Sequence, residues 1–184
     1  MLNRKFFSTK KLVTMALFVA ISYILSFLSF SIFPQASYMK LDFGNVFILM
    51  PALAIGPIEG IVICLLKELL CLINSTTAGT GELANFIMTS SYIIIPAIVY
   101  KYKKGIASVI ISLCAACAVG TTVATLTNRF IIFPLYMGDA AAGVFASVFW
   151  LVIAFNVIKT VSISLVSFIT YKRLSGFLKK ISVK

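Results

Sequence analysis

A chain of 184 residues has the length of one ordinary domain, yet 61% of its residues are hydrophobic, only 11% are charged, and its mean hydropathy is +1.08. That leaves too little polar surface to face water, which excludes a water-soluble enzyme or binding domain and makes lipid the solvent. The net charge of +11 does not point to nucleic acid, because the basic residues gather in clusters between apolar runs instead of lining one polar face.

A spanning helix must satisfy its backbone internally and needs about 20 mostly apolar residues, so the chain has room for about six helices and brief connections. The expected architecture is an all-α integral membrane protein with a single membrane domain over 1–184. Arg4, Lys5, Lys10 and Lys11 precede the first apolar run, Lys101, Lys103 and Lys104 sit mid-chain, and Lys172, Arg173, Lys179, Lys180 and Lys184 close the sequence. Lys and Arg accumulate on the cytoplasmic side of membrane proteins, so all three clusters are expected inside. Both termini are then cytoplasmic, with four spans before the Lys101 cluster and two after it.

The first span is predicted over 12–33, ended by Pro34; it lacks a small-x-small cleavage site and reads as a retained helix. Within it, Ala16 and Ala20 form a small-x-x-x-small pair that permits close approach of another helix, a spacing that also arises by chance. Residues 35–43, with Tyr38, Lys40 and Asp42, form an outer loop. The second span, 44–55, is short and carries Pro51, which suggests a bent or tilted helix; Gly56-Pro57 then turns into a third span over 58–73. Residues 74–82 have no apolar periodicity and read as a second outer loop, with Glu82 placed to cap the next helix. The fourth span covers 83–100 with Pro96 near its inner end. A fifth, 106–133, is longer than crossing requires and is terminated by Pro134; 136–146 is the third outer loop and 147–171 the sixth span.

No histidine exists to act as a base or metal ligand, and no Gly-x-x-x-x-Gly-Lys-Ser/Thr occurs, so neither catalysis nor nucleotide hydrolysis is expected of this chain, and neither a metal nor a cofactor. Gly79-x-Gly81 lacks the strand and helix context of a dinucleotide loop. Cys64, Cys71, Cys114 and Cys117 all lie in apolar runs, and the Cys-x-x-Cys at 114–117 reads as small-residue packing.

Ionisable side chains at bilayer depth cost at least about 2.5–3.5 kcal/mol and should face the bundle interior with a partner. Lys67 and Glu68, Asn128 and Arg129, and Asn156 with Lys159 occupy such positions. Asn156 and Lys159 are three apart and share a helical face, where they can grip one group or serve as glue between helices. With only Asp42, Glu59, Glu68, Glu82 and Asp139 as acids, a ligand carbonyl becomes a plausible partner for Lys159. Lys67 and Glu68 point about 100° apart and are not expected to share a partner easily; an interhelical ion pair and snorkelling to the interface are the competing readings. Arg129 reads equally as an outer-interface anchor. Phe33, Tyr38, Phe43 and Tyr136 form either an interfacial belt or a stacking wall for a flat ring.

Several segments in one order resemble the substrate-binding S components of energy-coupling factor (ECF) vitamin transporters, most closely the riboflavin-specific type. They are Tyr38-Met-Lys-Leu-Asp-Phe-Gly-Asn-Val46, residues 47–60 leading through the Gly-Pro turn, Lys67-Glu-Leu-Leu70, Gly79-Thr-Gly-Glu-Leu-Ala-Asn-Phe86, Asn128, Phe133-Pro-Leu-Tyr136 and Phe155-Asn-Val-Ile-Lys159. The resemblance covers nearly the whole chain. It implies six helices, cytoplasmic termini, a bacterial plasma membrane, and an outward-facing pocket covered by the loop between spans one and two. It further implies that riboflavin is a transported substrate and not a cofactor, with flavin mononucleotide as a further candidate. On the same basis Asn128, Asn156 and Lys159 read the polar edge of the isoalloxazine ring, while Leu41, Glu82 and Asn85 line or close the pocket. Ala16 and Ala20 match the motif that docks on a transmembrane coupling subunit, and two partner ATPases supply energy as the loaded component topples in the membrane. Asn45 departs from the family, which usually carries an acid there; neither it nor Lys67 and Glu68 is assigned a role. The rival readings are an S component for thiamine, biotin or a folate, a membrane enzyme, and an assembly protein that binds no small molecule.

Overall fold

The computed structural model describes residues 8–36, 38–103 and 105–181, with side chains described up to residue 170. Of the basic clusters, Arg4, Lys5 and Lys104 lie outside the described residues, as does Lys184, and so do the side chains of Lys172, Arg173, Lys179 and Lys180.

Helices dominate. They are α1 (Thr9–Ser26), α2 (Gly44–Ala54), α3 (Pro57–Cys71), α4 (Thr80–Tyr102), α5 (Ile106–Thr127), α6 (Phe133–Met137) and α7 (Ala141–Ile181), with the strands β1 (Phe30–Ser31) and β2 (Lys40–Leu41) between α1 and α2. Three stretches are long and apolar enough to cross a membrane: Thr9–Ser26, Thr80–Tyr102 and the nearly continuous Ile106–Thr170. Their outer faces carry apolar side chains to the surroundings, Ile111 being 69% and Trp150 77% exposed, as a lipid-facing surface requires.

Helix α2 is the centre of the bundle. At 1.5 Å per residue it spans only about 16 Å, roughly half the hydrocarbon thickness, and all its residues except Phe47 and Ala54 are buried. It packs on α1, α3, α4 and α7 at once, which is why a helix hydrophobic all round is stable there. Two glycines make the approach possible. A Cβ at Gly44 would collide with the Ser22 carbonyl oxygen of α1, and one at Gly60 would lie 2.5 Å from the Ala52 Cβ of α2.

The expected boundaries hold for the second, third and fourth helices, where Gly-Pro and Thr-Gly signals mark helix ends. Three others need correction. The first helix stops at Ser26 and not at Phe33: the amides of Phe27, Leu28 and Ser29 bond three residues back, tightening the last turn. The apolar residues that follow alternate with serines in Ser29-Phe30-Ser31-Ile32, a two-residue period that suits a strand. Phe30 and Ser31 accordingly pair antiparallel with Leu41 and Lys40, folding the expected outer loop into a short hairpin.

Pro134 does not terminate the fifth helix. Residues Asn128–Ile132 form a π turn in which the Phe133 amide bonds the Asn128 carbonyl, and Pro134 then sits in the first turn of α6, where a missing N–H costs nothing. The expected third loop is likewise mostly helical, since the break is confined to Gly138, at φ +55°, and α7 begins at Ala141.

The collision at Gly44 gives a test. Gly44→Ala should lower the thermal unfolding midpoint of the detergent-solubilised protein, with a destabilisation of about 1–3 kcal/mol typical of overpacking. Gly143→Ala, on an open helix face with nothing near the added methyl, should leave it unchanged or slightly higher.

Candidate substrate-binding site

The C-terminal ends of α1, α3 and α5, the N-terminal halves of α4 and α7, and the hairpin converge at the end of the bundle opposite Lys10, Lys11 and Lys101. There they enclose a cavity of about 380 Å³, within the range of about 300–1,000 Å³ usual for small-molecule sites.

One charged network forms its floor. Lys67, 1% exposed, bonds the carboxylates of Asp42 and of its own neighbour Glu68, the latter at 2.9 Å. Of the competing readings, the ion pair holds and snorkelling to the interface does not: Lys67 reaches Asp42, and its long stem also swings the ammonium back over the adjacent Glu68. Asp42 also accepts the Gly44 amide at 2.7 Å, which caps the start of α2 and ties the hairpin's second strand to the cavity floor. Glu68 in turn accepts a bond from the Asn85 side-chain nitrogen, and the Lys159 ammonium donates to Asn85 Oδ1 at 2.6 Å. Asn45 completes the set, donating to Asn85 Oδ1 at 2.9 Å and accepting from Asn85 Nδ2 at 3.3 Å.

Two further carboxamides are oriented by their own helices. Asn128 Nδ2 donates to the Ala124 carbonyl and Asn156 Nδ2 to the Val152 carbonyl, each at 2.8 Å. Their oxygens are thereby left as acceptors at the cavity wall, with no partner among the described residues. Lys159 spends one donor on Asn85 and has two more. Tyr23, Phe27, Tyr38, Phe133, Tyr136 and Phe155 supply apolar faces around this polar edge. At the mouth, partial burial and the nearby Tyr136 raise the Tyr38 phenol above its ordinary pKa and keep it a neutral donor. Such a chamber can hold a flat heterocycle by stacking, offering amide oxygens to its N–H groups and an ammonium to its carbonyls.

Of the residues singled out from sequence, Glu82, Asn85, Asn128, Asn156 and Lys159 all line this one cavity. Leu41 does not; it is buried in the second strand of the hairpin, while its neighbours Lys40 and Asp42 reach the cavity. Glu82 occupies the first turn of α4 but does not cap it. Its carboxylate accepts from the hydroxyls of Ser75 at 2.9 Å and Thr77 at 3.1 Å, while Thr77 Oγ1 takes the Gly81 amide. Tyr38 and Tyr136 line the cavity, whereas Phe33 and Phe43 do not, and Phe43 stacks near Phe30 instead. Arg129 lies over the Phe145 ring at 5.5 Å, outside the cavity. Ala16 and Ala20 sit on the exposed face of α1 beside Val13 and Leu17. Nearer the same helix's N-terminus, Lys11 pairs with Glu59 at the start of α3.

Sequence reasoning assigned no task to Asp42 or Asn45 and overlooked the stacking residues Tyr23, Phe27, Phe133 and Phe155. For Asp42 a signal existed: an acid next to a short apolar helix, in a chain with a lysine at bilayer depth and only four other acids.

A buried ion pair that loses one member leaves an uncompensated charge, at a cost of about 3–5 kcal/mol. Asp42→Ala should therefore lower the unfolding midpoint sharply, and adding Lys67→Met should recover much of the loss. Thermal denaturation of the two variants in detergent checks this; equal midpoints for single and double variants would show that the pair is not coupled.

The comparisons with known proteins agree with one another. A profile of the family described as ECF transporter, substrate-specific component, matches residues 10–171. The chain is 34% identical over 177 residues to riboflavin transporter RibU of Staphylococcus aureus (strain TCH60), covering 94% of each. It is 27% identical over 182 residues to riboflavin transporter FmnP of Bacillus subtilis (strain 168), covering 93% of this chain and 95% of that one. Among solved structures, the S component of a bacterial ECF transporter superposes with a TM-score of 0.80 at 35% identity, over 92% of this chain and 98% of the other. With the fold, the cavity and these matches in accord, the chain belongs to the substrate-specific components of ECF transporters, which bind a transported substrate and are not enzymes.

Proposed function

We propose that this cavity captures riboflavin and that the chain delivers it into the cell when docked on an ATP-driven coupling module. The observation that carries the reading is the charge balance of a site with aromatic walls. Lys40, Lys67 and Lys159 face Asp42, Glu68 and Glu82, so the lining sums to zero. A buried charge left without a partner is costly, which disfavours the cationic thiamine and the anionic biotin and folates; riboflavin is an uncharged, flat heterocycle with carbonyl and imide groups on one edge. The relatives named as riboflavin transporters support the same assignment. Flavin mononucleotide shares the ring and differs by a phosphate, so it belongs in the same competition assay.

In this reading the chain makes six passes through a bacterial plasma membrane, the short α2 and α3 crossing with help from the hairpin and from the loop at 74–79. The Lys10, Lys11 and Lys101 end faces the cytoplasm, and both termini with it, while the cavity faces outward. Ala16 and Ala20 present a small-residue strip for the coupling subunit, and two ATPases act through that subunit.

Protein purified in detergent should carry or bind a yellow flavin, read from its visible absorption, and should quench riboflavin fluorescence stoichiometrically. Lys159→Ala removes a charge-assisted bond, of about 1.5–3 kcal/mol, and should weaken affinity about 10- to 100-fold without impairing membrane insertion. A preparation that neither carries flavin nor quenches at micromolar concentration would sink the cargo assignment. On the docking face, Ala16→Trp or Ala20→Trp should leave riboflavin binding intact and abolish uptake in cells supplying the coupling module. Normal uptake by both variants would place docking elsewhere.

A further inference from the structure

Asn45 has no role in the reading above, and Glu68 enters it only through its charge. We infer that Asn45 and Glu68 are positioning residues, which fix the Asn85 carboxamide in the one orientation that aims Lys159 at the ligand; the inference rests on riboflavin occupying the cavity.

An ammonium has no acceptor and a carboxylate no donor, so Lys159 requires an oxygen from Asn85 while Glu68 requires a nitrogen. Asn85 meets both demands in one orientation only, with Oδ1 toward Lys159 and Nδ2 toward Glu68. Turned by 180°, it would set a donor against the ammonium and an oxygen against the carboxylate. With that choice set by Lys159 and Glu68, Asn45 holds the carboxamide in place from the side through two antiparallel amide bonds at 2.9 and 3.3 Å. Asn45 is 0% exposed, on the central helix α2, so no bulk water competes for those bonds.

Asn45 does not line the cavity, so any effect it has on ligand affinity must travel through a neighbour. Glu68 lines the cavity but is 5% exposed and already engaged by Lys67 as well as by Asn85. Its negative charge, relayed through the Asn85 amide, strengthens the oxygen that Lys159 holds. Lys159 is thereby anchored by one of its three donors, and the other two are directed at the ligand edge.

A double-mutant cycle separates positioning from mere support of the fold. Riboflavin affinity is measured by fluorescence quenching on the full chain in detergent, for the unmodified protein, Asn45→Ala, Asn85→Ala and the double variant. Asn45→Ala should weaken binding roughly tenfold in the unmodified background, and less than about twofold once Asn85 is alanine, because the residue it acts through is gone. Equal losses in both backgrounds, or no loss from Asn45→Ala alone, would overturn the inference while leaving the riboflavin reading in place. If Asn45→Ala does not yield folded protein, Glu68→Gln enters the same cycle and is judged by the same two outcomes. An unmodified chain that fails to quench riboflavin overturns the reading itself, and the inference with it, and is told apart by that first measurement.

Discussion

Two lysine ammonium groups buried at the heart of an apolar bundle are the constraint from which the rest of the site follows. Lys67 and Lys159 are 1% and 6% exposed, and each must find oxygen in a molecule that has only five acids. Two of those five, Asp42 and Glu68, are committed to Lys67, and the carboxamide of Asn85 relays the second of them to Lys159. Meeting this demand brings together the segment leading into α2, the C-terminal half of α3, the first turns of α4 and the middle of α7. Four elements that share no sequence neighbourhood are held in register by it, and the chamber is the space they enclose. The hairpin is drawn into the same arrangement, because Asp42 follows β2 directly.

How much of this was legible in the sequence depends on whether the signal was local. Gly56-Pro57, the Thr-Gly run before Glu82 and the short apolar stretch from Gly44 carry their meaning within a few residues, and the helices begin and end there. The Phe27–Phe33 run was misread because an apolar segment fits a helix or a buried strand equally well by composition, and only its two-residue alternation separates them. Pro134 was misread because a proline ends a helix only where a missing N–H matters, and a preceding π turn removes that need. The candidate site divides the same way. Lys159 and Asn156 stood out because polar groups at bilayer depth demand an explanation. Asn45 did not, since an asparagine near a helix start is ordinary until the partner across the bundle, Asn85, is known.

The same physics keeps the two ends of the molecule distinct. The groups that mark the cavity lie toward the ends of α1 and α3 that carry Ser26 and Cys71, while Ala16 and Ala20 occupy the middle of α1, on its exposed face. The Lys11–Glu59 pair clasps α1 to α3 at the basic end, so the two helices leave it as a unit with the small residues of α1 outward.

The π turn shows how a wall of the cavity is made from a helix that would otherwise turn away. Moving from a four-residue to a five-residue hydrogen-bond step adds one residue to the turn and rotates everything downstream by about 100°. Asn128 lies at the start of that turn, and Ile132, Phe133 and Tyr136 reach the same cavity after it, at spacings of four, five and eight residues. Without the inserted residue, the helix surface that presents Asn128 would carry only part of this set. The irregularity thus brings Phe133 to the cavity beside Asn128, and Pro134 is tolerated just beyond it because the helix has already changed step.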